Sequence, residues 1–203
     1  MRFATCSTRV CCASARLEED WLEQFVGATI PFLQEDGGIY LLLVSPLPVV
    51  DAVLDLAAVG PSDVLYDLGS GDGRLVVRAA ERFGARAVGI ESNQDLHQRA
   101  ARLVAERGLQ AIVRTVLGDL YEADLEEASV ITLYLGADDL TDGLRCKLGR
   151  ALARGARVVS IDMPLPDWQA ARRQHVSDGE EGYTIYLYSS CDGEADSVYE
   201  IDR

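Results

Sequence analysis

The sequence predicts an α/β fold of three layers: a seven-stranded, mostly parallel sheet with one antiparallel strand, and helices on both faces. Three observations lead there. Five short apolar runs alternate with helical patterns after residue 60, and strands alternating with helices through short links build right-handed parallel sheets. Near its end the chain has two β-rich runs joined across Ser177-Asp178-Gly179-Glu180-Glu181-Gly182, which reads as a hairpin. Finally, Val64-Leu65-Tyr66 runs into Asp67-Leu68-Gly69-Ser70-Gly71-Asp72-Gly73-Arg74 and then into a helical pattern. A strand that passes through alternating glycines into a helix is a nucleotide-type ligand loop, because glycine admits positive φ and close backbone approach.

The elements follow in order. Residues 1–17 carry only Arg2, Arg9 and Arg16 as charges, with Thr5, Ser7, Thr8 and Ser14 among them. That is the composition of an organelle transit segment, and equally of a short flexible tail. From Leu17 to Leu33, Leu17, Trp21 and Phe25 recur at helical spacing with acids in the first turn, which predicts an amphipathic helix. Asp36-Gly37-Gly38 ends it, Ile39–Val44 is apolar, and Ser45-Pro46-Leu47-Pro48 breaks that run. A second helix places Val50, Val53, Leu54 and Ala57 on one face and stops at Gly60-Pro61.

Strand 64–68 then leads through the glycine loop to helix 74–83. Strand 86–90 leads to helix 93–107, whose start carries Ser92-x-x-Asp95, a capping-box-like pair. Strand 111–117 ends at Gly118-Asp119. Strand 129–135 precedes a helix over 138–153, weakened by Gly143 and Gly149. Strand 156–161 is followed by the hairpin of Arg172–Val176 and Tyr183–Ser189. Residues 18–190 make one domain, and 191–203 form an acidic tail.

Composition narrows the function classes. No run approaches the roughly 18 apolar residues that a membrane helix needs. A net charge of −14 disfavours nucleic acid, whose phosphates call for Lys and Arg. Five cysteines without paired spacing, and two distant histidines, point to reduced thiols in an intracellular, cytoplasmic setting and to no metal site. A mitochondrial location follows if residues 1–17 are a transit segment. Oligomeric state leaves no mark in the sequence.

Ligands of an open parallel sheet sit outside the carboxyl ends of its strands. Asp67 with Gly69, Gly71 and Gly73 closes the first such strand, Glu91 the second, and Asp119 follows the third. The glycine loop lets a ligand lie on bare backbone at a helix N-terminus. A carboxylate after the second strand can accept two ribose hydroxyls, and one after the third an adenine amine. A dinucleotide loop needs a third glycine at position 74, which is Arg74, and Asp67 and Asp72 would repel a pyrophosphate. S-adenosylmethionine, with an ammonium and no phosphate, suits the loop better.

Five segments carry a resemblance: the 67–74 loop, Gly89-Ile90-Glu91, Gly118-Asp119-Leu120, Val130-Ile131-Thr132-Leu133-Tyr134-Leu135 and Gly155-Ala156-Arg157-Val158-Val159-Ser160. Together they resemble the successive motifs of class I S-adenosylmethionine-dependent methyltransferases, which have a Rossmann-like fold. The resemblance is to the branch of mitochondrial lysine methyltransferases of the ATP synthase c subunit and the adenine nucleotide translocase, with their prokaryotic relatives, and it covers about residues 44–190. It implies that Asp67, Gly69, Ser70, Gly71 and Gly73 hold the methionine portion, Glu91 the ribose, and Asp119 with Leu120 the adenine. It implies a substrate pocket of Ser45, Pro46, Tyr134, Leu135 and Trp168. Leu165-Pro166-Asp167-Trp168 matches a family feature, although Trp168 buries enough apolar area to be a packing residue instead. The Val44–Pro48 segment departs from the Tyr-Val-Pro-Ser/Thr-Pro usual in the branch, and the membrane-spanning N-terminal segment of animal members is absent.

The activity so implied is in-line methyl transfer to an amine, most narrowly to a protein lysine, with S-adenosylmethionine as cofactor. The acceptor must shed a proton first, and the sequence offers no evident general base. Tyr134 is the candidate to orient it. Two alternatives are a methyltransferase for a small molecule and a cofactor-binding protein without turnover.

Overall fold

A computed structural model describes residues 29–33, 39–43, 45–178 and 181–190. The order is β1 (Thr29–Leu33), β2 (Ile39–Leu43), α1 (Leu47–Leu56), β3 (Val64–Leu68), α2 (Arg74–Phe83), β4 (Arg86–Glu91), α3 (Gln94–Glu106) and β5 (Val113–Leu117). β6 (Val130–Leu133), α4 (Asp142–Ala153), β7 (Arg157–Ile161), β8 (Arg172–Asp178) and β9 (Glu181–Tyr188) complete it, with 3₁₀ turns at Leu120–Glu122 and Ala137–Asp139. Seven strands form one sheet in the order β5-β4-β3-β6-β7-β9-β8. β9 pairs antiparallel with both β7 and β8, so it alone runs against the others.

Both faces of the sheet are covered, which is why β3 reads as a continuous apolar run. On one face Val49, Val50, Val53 and Leu54 of α1 and Leu75, Val76, Ala79 and Ala80 of α2 pack over Leu65, Ala87, Val130, Val159 and Ile185. On the other, Leu144, Leu148 and Ala151 of α4 pack over Tyr66, Leu68, Ile131, Leu133 and Val158. α1 and α2 are further tied by Arg78, which donates to both oxygens of Asp51 at 2.7 and 3.0 Å. At the amino end of the sheet Asp63 accepts from Gly60 N–H, the Ser129 hydroxyl and Arg157. Burial alone would raise Asp63, but these donors hold its carboxyl below the usual range. Its contribution to stability is therefore present at neutral pH and lost only as the pH falls through that depressed value.

Several local expectations are corrected. The helix expected over 17–33 gives way to strand at Thr29–Leu33, while residues 17–28 lie outside the described residues, as do both tails. The pairing of Thr29–Leu33 with Ile39–Leu43 across a Gly-Gly dipeptide is a hairpin pattern, which overrides the helical spacing upstream. The cap of α3 is Asn93, not Ser92: its Oδ1 accepts from Asp95 and Leu96 N–H at 3.0 and 3.1 Å. The helix expected over 138–153 starts at Asp142, because the Thr141 hydroxyl accepts Leu144 N–H and caps it there. Among the described residues, no helix is long and apolar enough to cross a membrane.

One glycine is fixed by packing as well as by conformation. Gly73 has φ +81°, and a Cβ built on it would stand 2.8 Å from Ala100 Cβ and 3.2 Å from Ala100 Cα on α3. Gly108 has φ +66° with nothing within 4 Å. Gly108→Ala should cost about 1 kcal/mol from backbone strain alone, and Gly73→Ala about 2–4 kcal/mol from strain plus overpacking. Urea unfolding of the two variants measures the difference. Equal losses would mean that α2 and α3 are not in close contact.

Candidate functional site

The chain steps outward from β3 to β4 and β5, then returns to lay β6 and β7 on the other side. The carboxyl ends of β3 and β6 therefore diverge, and a crevice opens between them. Asp67 of β3 and Thr132 of β6 are paired in register there. The Thr132 hydroxyl donates to Asp67 Oδ1 at 2.7 Å. Asp67 is only 7% exposed, and that burial pushes its carboxyl up to about 6. The Thr132 hydroxyl works against the rise, as does the nearby Ser70 hydroxyl, while the charges of Glu91 and Asp72 add to it. Ser70 acts there through proximity, because its buried Oγ meets hydrogen-bond geometry with no described residue.

The loop above Asp67 is held from behind. Gly69 and Ser70 N–H both donate to Ile90 O, at 3.0 and 2.9 Å. Gly71 N–H donates to Glu91 Oε2 and Asn93 N–H to Glu91 Oε1, each at 2.8 Å. Glu91 is 3% exposed, so it is a clamp between two turns before it is anything else. Gly89 is glycine because a Cβ would stand 2.5 Å from Ser70 Oγ. Arg74 grips Asp72, with Nη2 2.8 Å from Oδ2, and donates from Nη1 to Ser45 O at 2.9 Å. The glycine loop is thereby tied to the segment that enters α1. Asp72 is thus neutralised by Arg74, and the loop's negative character comes from Asp67 and Glu91.

A cleft partly open to solvent is lined by Ser45, Asp67, Gly69, Ser70, Gly71, Asp72, Arg74, Thr132 and Tyr134, among others. The predicted residues Asp67, Gly69, Ser70, Gly71, Ser45 and Tyr134 therefore come together. Leu135 flanks the loop, its Cδ2 3.8 Å from the Cβ position of Gly69. Pro46 is buried as the residue before α1, and Gly73 caps α2. Asp119 and Leu120 stand apart from the cleft lining. Asp119 is exposed beyond β5, where its Oδ1 accepts Tyr121 N–H at 2.9 Å.

Trp168 is not in the pocket. It packs on the opposite face of the sheet, edge-on to Tyr188 with ring centroids 6.0 Å apart and over Gly149 of α4. The turn at Asp167, φ +63°, directs it back onto that helix, where its apolar area is buried. Two residues unread in the sequence belong to the site. Thr132 is a hydroxyl inside an apolar strand, and Asp162 is an acid just past the end of β7 whose Oδ2 accepts the Tyr134 hydroxyl at 2.9 Å. Both carry the signal that singled out Asp67: a polar side chain at the carboxyl end of a buried strand.

The lining fits a ligand with an ammonium, a nucleoside and no phosphate. It offers a bare backbone cradle at three glycines with positive φ, an orphaned Ser70 hydroxyl and a buried acid. Among the described residues its one cation, Arg74, is occupied by Asp72 and Ser45 and leaves a pyrophosphate without a partner.

Comparison with known proteins bears on the same loop. Residues 67–172, just over half the chain, match the family model described as the ANTKMT methyltransferase domain. The chain is 35% identical over 145 residues to a protein-lysine N-methyltransferase of Saccharolobus islandicus, covering 71% of this chain and 89% of that one. It is 42% identical over 122 residues to the adenine nucleotide translocase lysine N-methyltransferase of Mus musculus, covering 59% of this chain and about half, 52%, of that one. Among solved structures it is similar to one described as an RNA methyltransferase from Salinibacter ruber in complex with S-adenosyl-L-homocysteine. There the TM-score is 0.65 and the identity 43%, over 77% of this chain and 99% of that one.

The burial of Asp67 has a consequence for stability. A carboxyl raised from 3.8 to about 6 by folding favours the fold fully below the unfolded value, and that advantage is lost as pH rises through about 6. Asp67→Asn removes the charge and keeps an oxygen for Thr132. At pH 7.5 the ligand-free variant should be more stable than wild type by on the order of 3 kcal/mol, with the gap closing near pH 4. Denaturant titrations at the two pH values measure this; a gap independent of pH would mean that Asp67 is solvated.

Proposed function

We propose, for a chain that belongs to the ANTKMT methyltransferase family and is an S-adenosylmethionine-dependent methyltransferase, that its methyl acceptor is the side-chain amine of a protein lysine. The observation that carries this reading is the match, 35% identical, over 89% of a Saccharolobus islandicus relative named a protein-lysine N-methyltransferase. The cleft supports it. Among the described residues its walls present carboxylate and hydroxyl groups, and the one cation there is paired, a surface suited to a basic side chain rather than to a phosphate backbone. The setting is intracellular, with a mitochondrial address if residues 1–17 are a transit segment.

When bound, S-adenosylmethionine supplies a methyl group on a sulfonium, which leaves with the bonding electron pair and needs no proton. Asp67 would accept the ammonium of the methionine portion, and the backbone at Gly69, Ser70, Gly71 and Gly73 would lie against it. Glu91 has spent one lone pair of each oxygen on Gly71 and Asn93 and keeps the others for ribose hydroxyls. The adenine would fall to Asp119 and Leu120, which stand beyond β5 outside the cleft lining. On the acceptor side the amine would have to enter neutral, having given a proton to solvent, so that its nitrogen lone pair is free for the methyl carbon. The chain's task is to align the nitrogen and exclude water. Ser45, Pro46, Leu135 and Tyr134 shape that side.

A second reading is kept because the Salinibacter structure is described as an RNA methyltransferase. Incubation of a desalted cell extract with the pure protein and isotope-labelled donor separates the two. The label should enter protein and reside on lysine after hydrolysis. Label confined to RNA or to small molecules would overturn the lysine assignment.

The cofactor half is tested by calorimetry with S-adenosyl-L-homocysteine. Affinity should fall as the pH drops below about 6, where Asp67 takes up a proton and no longer attracts an ammonium. Asp67→Asn should weaken binding by about 100-fold, in the range of a lost buried charge pair. Unchanged affinity would remove Asp67 from the site.

A further inference from the structure

Asp162 directly follows Ile161, a residue of β7 that lines the cleft. Its backbone is left-handed, φ +58°, a region that L residues enter rarely and Asp or Asn least reluctantly. Residues kept there by surrounding structure concentrate at functional sites. Two hydrogen bonds to β9 do the keeping: Asp162 N–H donates to Thr184 O at 2.7 Å, and Thr184 N–H donates to Asp162 Oδ1 at 2.8 Å. The other carboxylate oxygen, Oδ2, accepts the hydroxyl proton of Tyr134 at 2.9 Å. Tyr134 lines the same cleft as Asp67 and the glycine loop.

We propose that Asp162 is a positioning residue that turns the Tyr134 hydroxyl so that its oxygen receives an N–H of the incoming amine. A carboxylate only accepts. With Oδ1 committed to Thr184, Oδ2 fixes the Tyr134 proton toward β7, and toward the cleft the phenol oxygen can only accept. A neutral amine that gives one N–H to that oxygen has its rotation restricted, and its lone pair is left for the methyl carbon. The bond balance is that of the proposed transfer: N–C forms, C–S breaks with its pair going to sulfur, and the extra proton of the product amine goes to solvent. Tyr134 and Asp162 neither gain nor lose a proton. The same arrangement favours a nucleophile that carries a hydrogen-bond donor over a carbon nucleophile that lacks one. This inference rests on the amine reading above.

Asp162→Asn tests it without disturbing the turn. Asn tolerates the left-handed backbone, and its Oδ1 must stay on Thr184 N–H, since the amide nitrogen there would meet a donor. The amide NH₂ then faces Tyr134 and donates, which forces the phenol to accept and send its own proton into the cleft. With labelled donor and a desalted extract at limiting acceptor, the variant should transfer methyl about 10- to 100-fold more slowly. Its S-adenosyl-L-homocysteine affinity should stay within 2-fold of wild type and its unfolding midpoint should not move. In a Tyr134→Phe background the same substitution should change the rate by less than 3-fold, because the group it acts through is gone.

A wild-type rate for Asp162→Asn would overturn the proposal, as would the full loss recurring in the Tyr134→Phe background. Failure of the amine reading looks different. The wild-type label would then enter RNA or small molecules, and the coupling of Asp162 to Tyr134 is scored in that fraction by the same two comparisons.

Discussion

The site depends on a carboxylate in the wrong place for a carboxylate. Asp67 lies at the point where strand order reverses, under a turn of three glycines, with Thr132 as its hydroxyl donor and no cation in contact among the described residues. Burial raises it to about 6, so at neutral pH the ligand-free protein holds a charge its surroundings oppose. A cation of the right size, delivered on a ligand, relieves that opposition. The cost to the fold and the affinity for an ammonium are two readings of one electrostatic fact.

The surrounding structure keeps this arrangement from relaxing. Glu91 would be a second buried charge beside the first, but Gly71 and Asn93 N–H occupy its oxygens and make it the fastener of the loop. Asp72 would be a third, but Arg74 cancels it and carries the loop's position on to Ser45. Gly73 lets α3 approach the start of α2 at Ala100, and Gly89 lets the loop lie on β4 at Ser70. On the far side of the crevice β6 and β7 bring Tyr134 and Asp162, with antiparallel β9 holding Asp162 through Thr184. In the proposed reading, cofactor and acceptor halves meet across the β3–β6 boundary, each fixed by hydrogen bonds to neighbouring strands.

Much of this was legible in the residues. Fully buried parallel strands read as apolar runs, so an acid at their ends stands out, and the glycine spacing separates this loop from a dinucleotide loop. The features that the residues alone do not show are hidden for physical reasons. Trp168 sits near a strand end as Asp67 and Glu91 do, but the left-handed turn at Asp167 that sends it to α4 is not visible in an Asp residue alone. Thr29–Leu33 lost its helical assignment to pairing with a partner ten residues away, a contact that local periodicity does not report. Asp162 bore the same signal as Asp67, yet its role appears only when β9 and Tyr134 are in place. Glu91 reads from its place at a strand end as a ribose acceptor; its work as a clamp on the loop follows from burial and from the Gly71 and Asn93 N–H donors rather than from spacing.

The most direct test of the account is a count of protons. Near pH 6 the buried Asp67 is about half protonated, and binding an ammonium against it must fix it as the anion. Titration of S-adenosyl-L-homocysteine into the protein in buffers of different ionisation enthalpy should report release of about half a proton at pH 6, falling toward none at pH 8 and absent in Asp67→Asn. Proton release at pH 6 that persists unchanged in Asp67→Asn, or no release in wild type, would contradict the claim that this carboxylate receives the cofactor's charge.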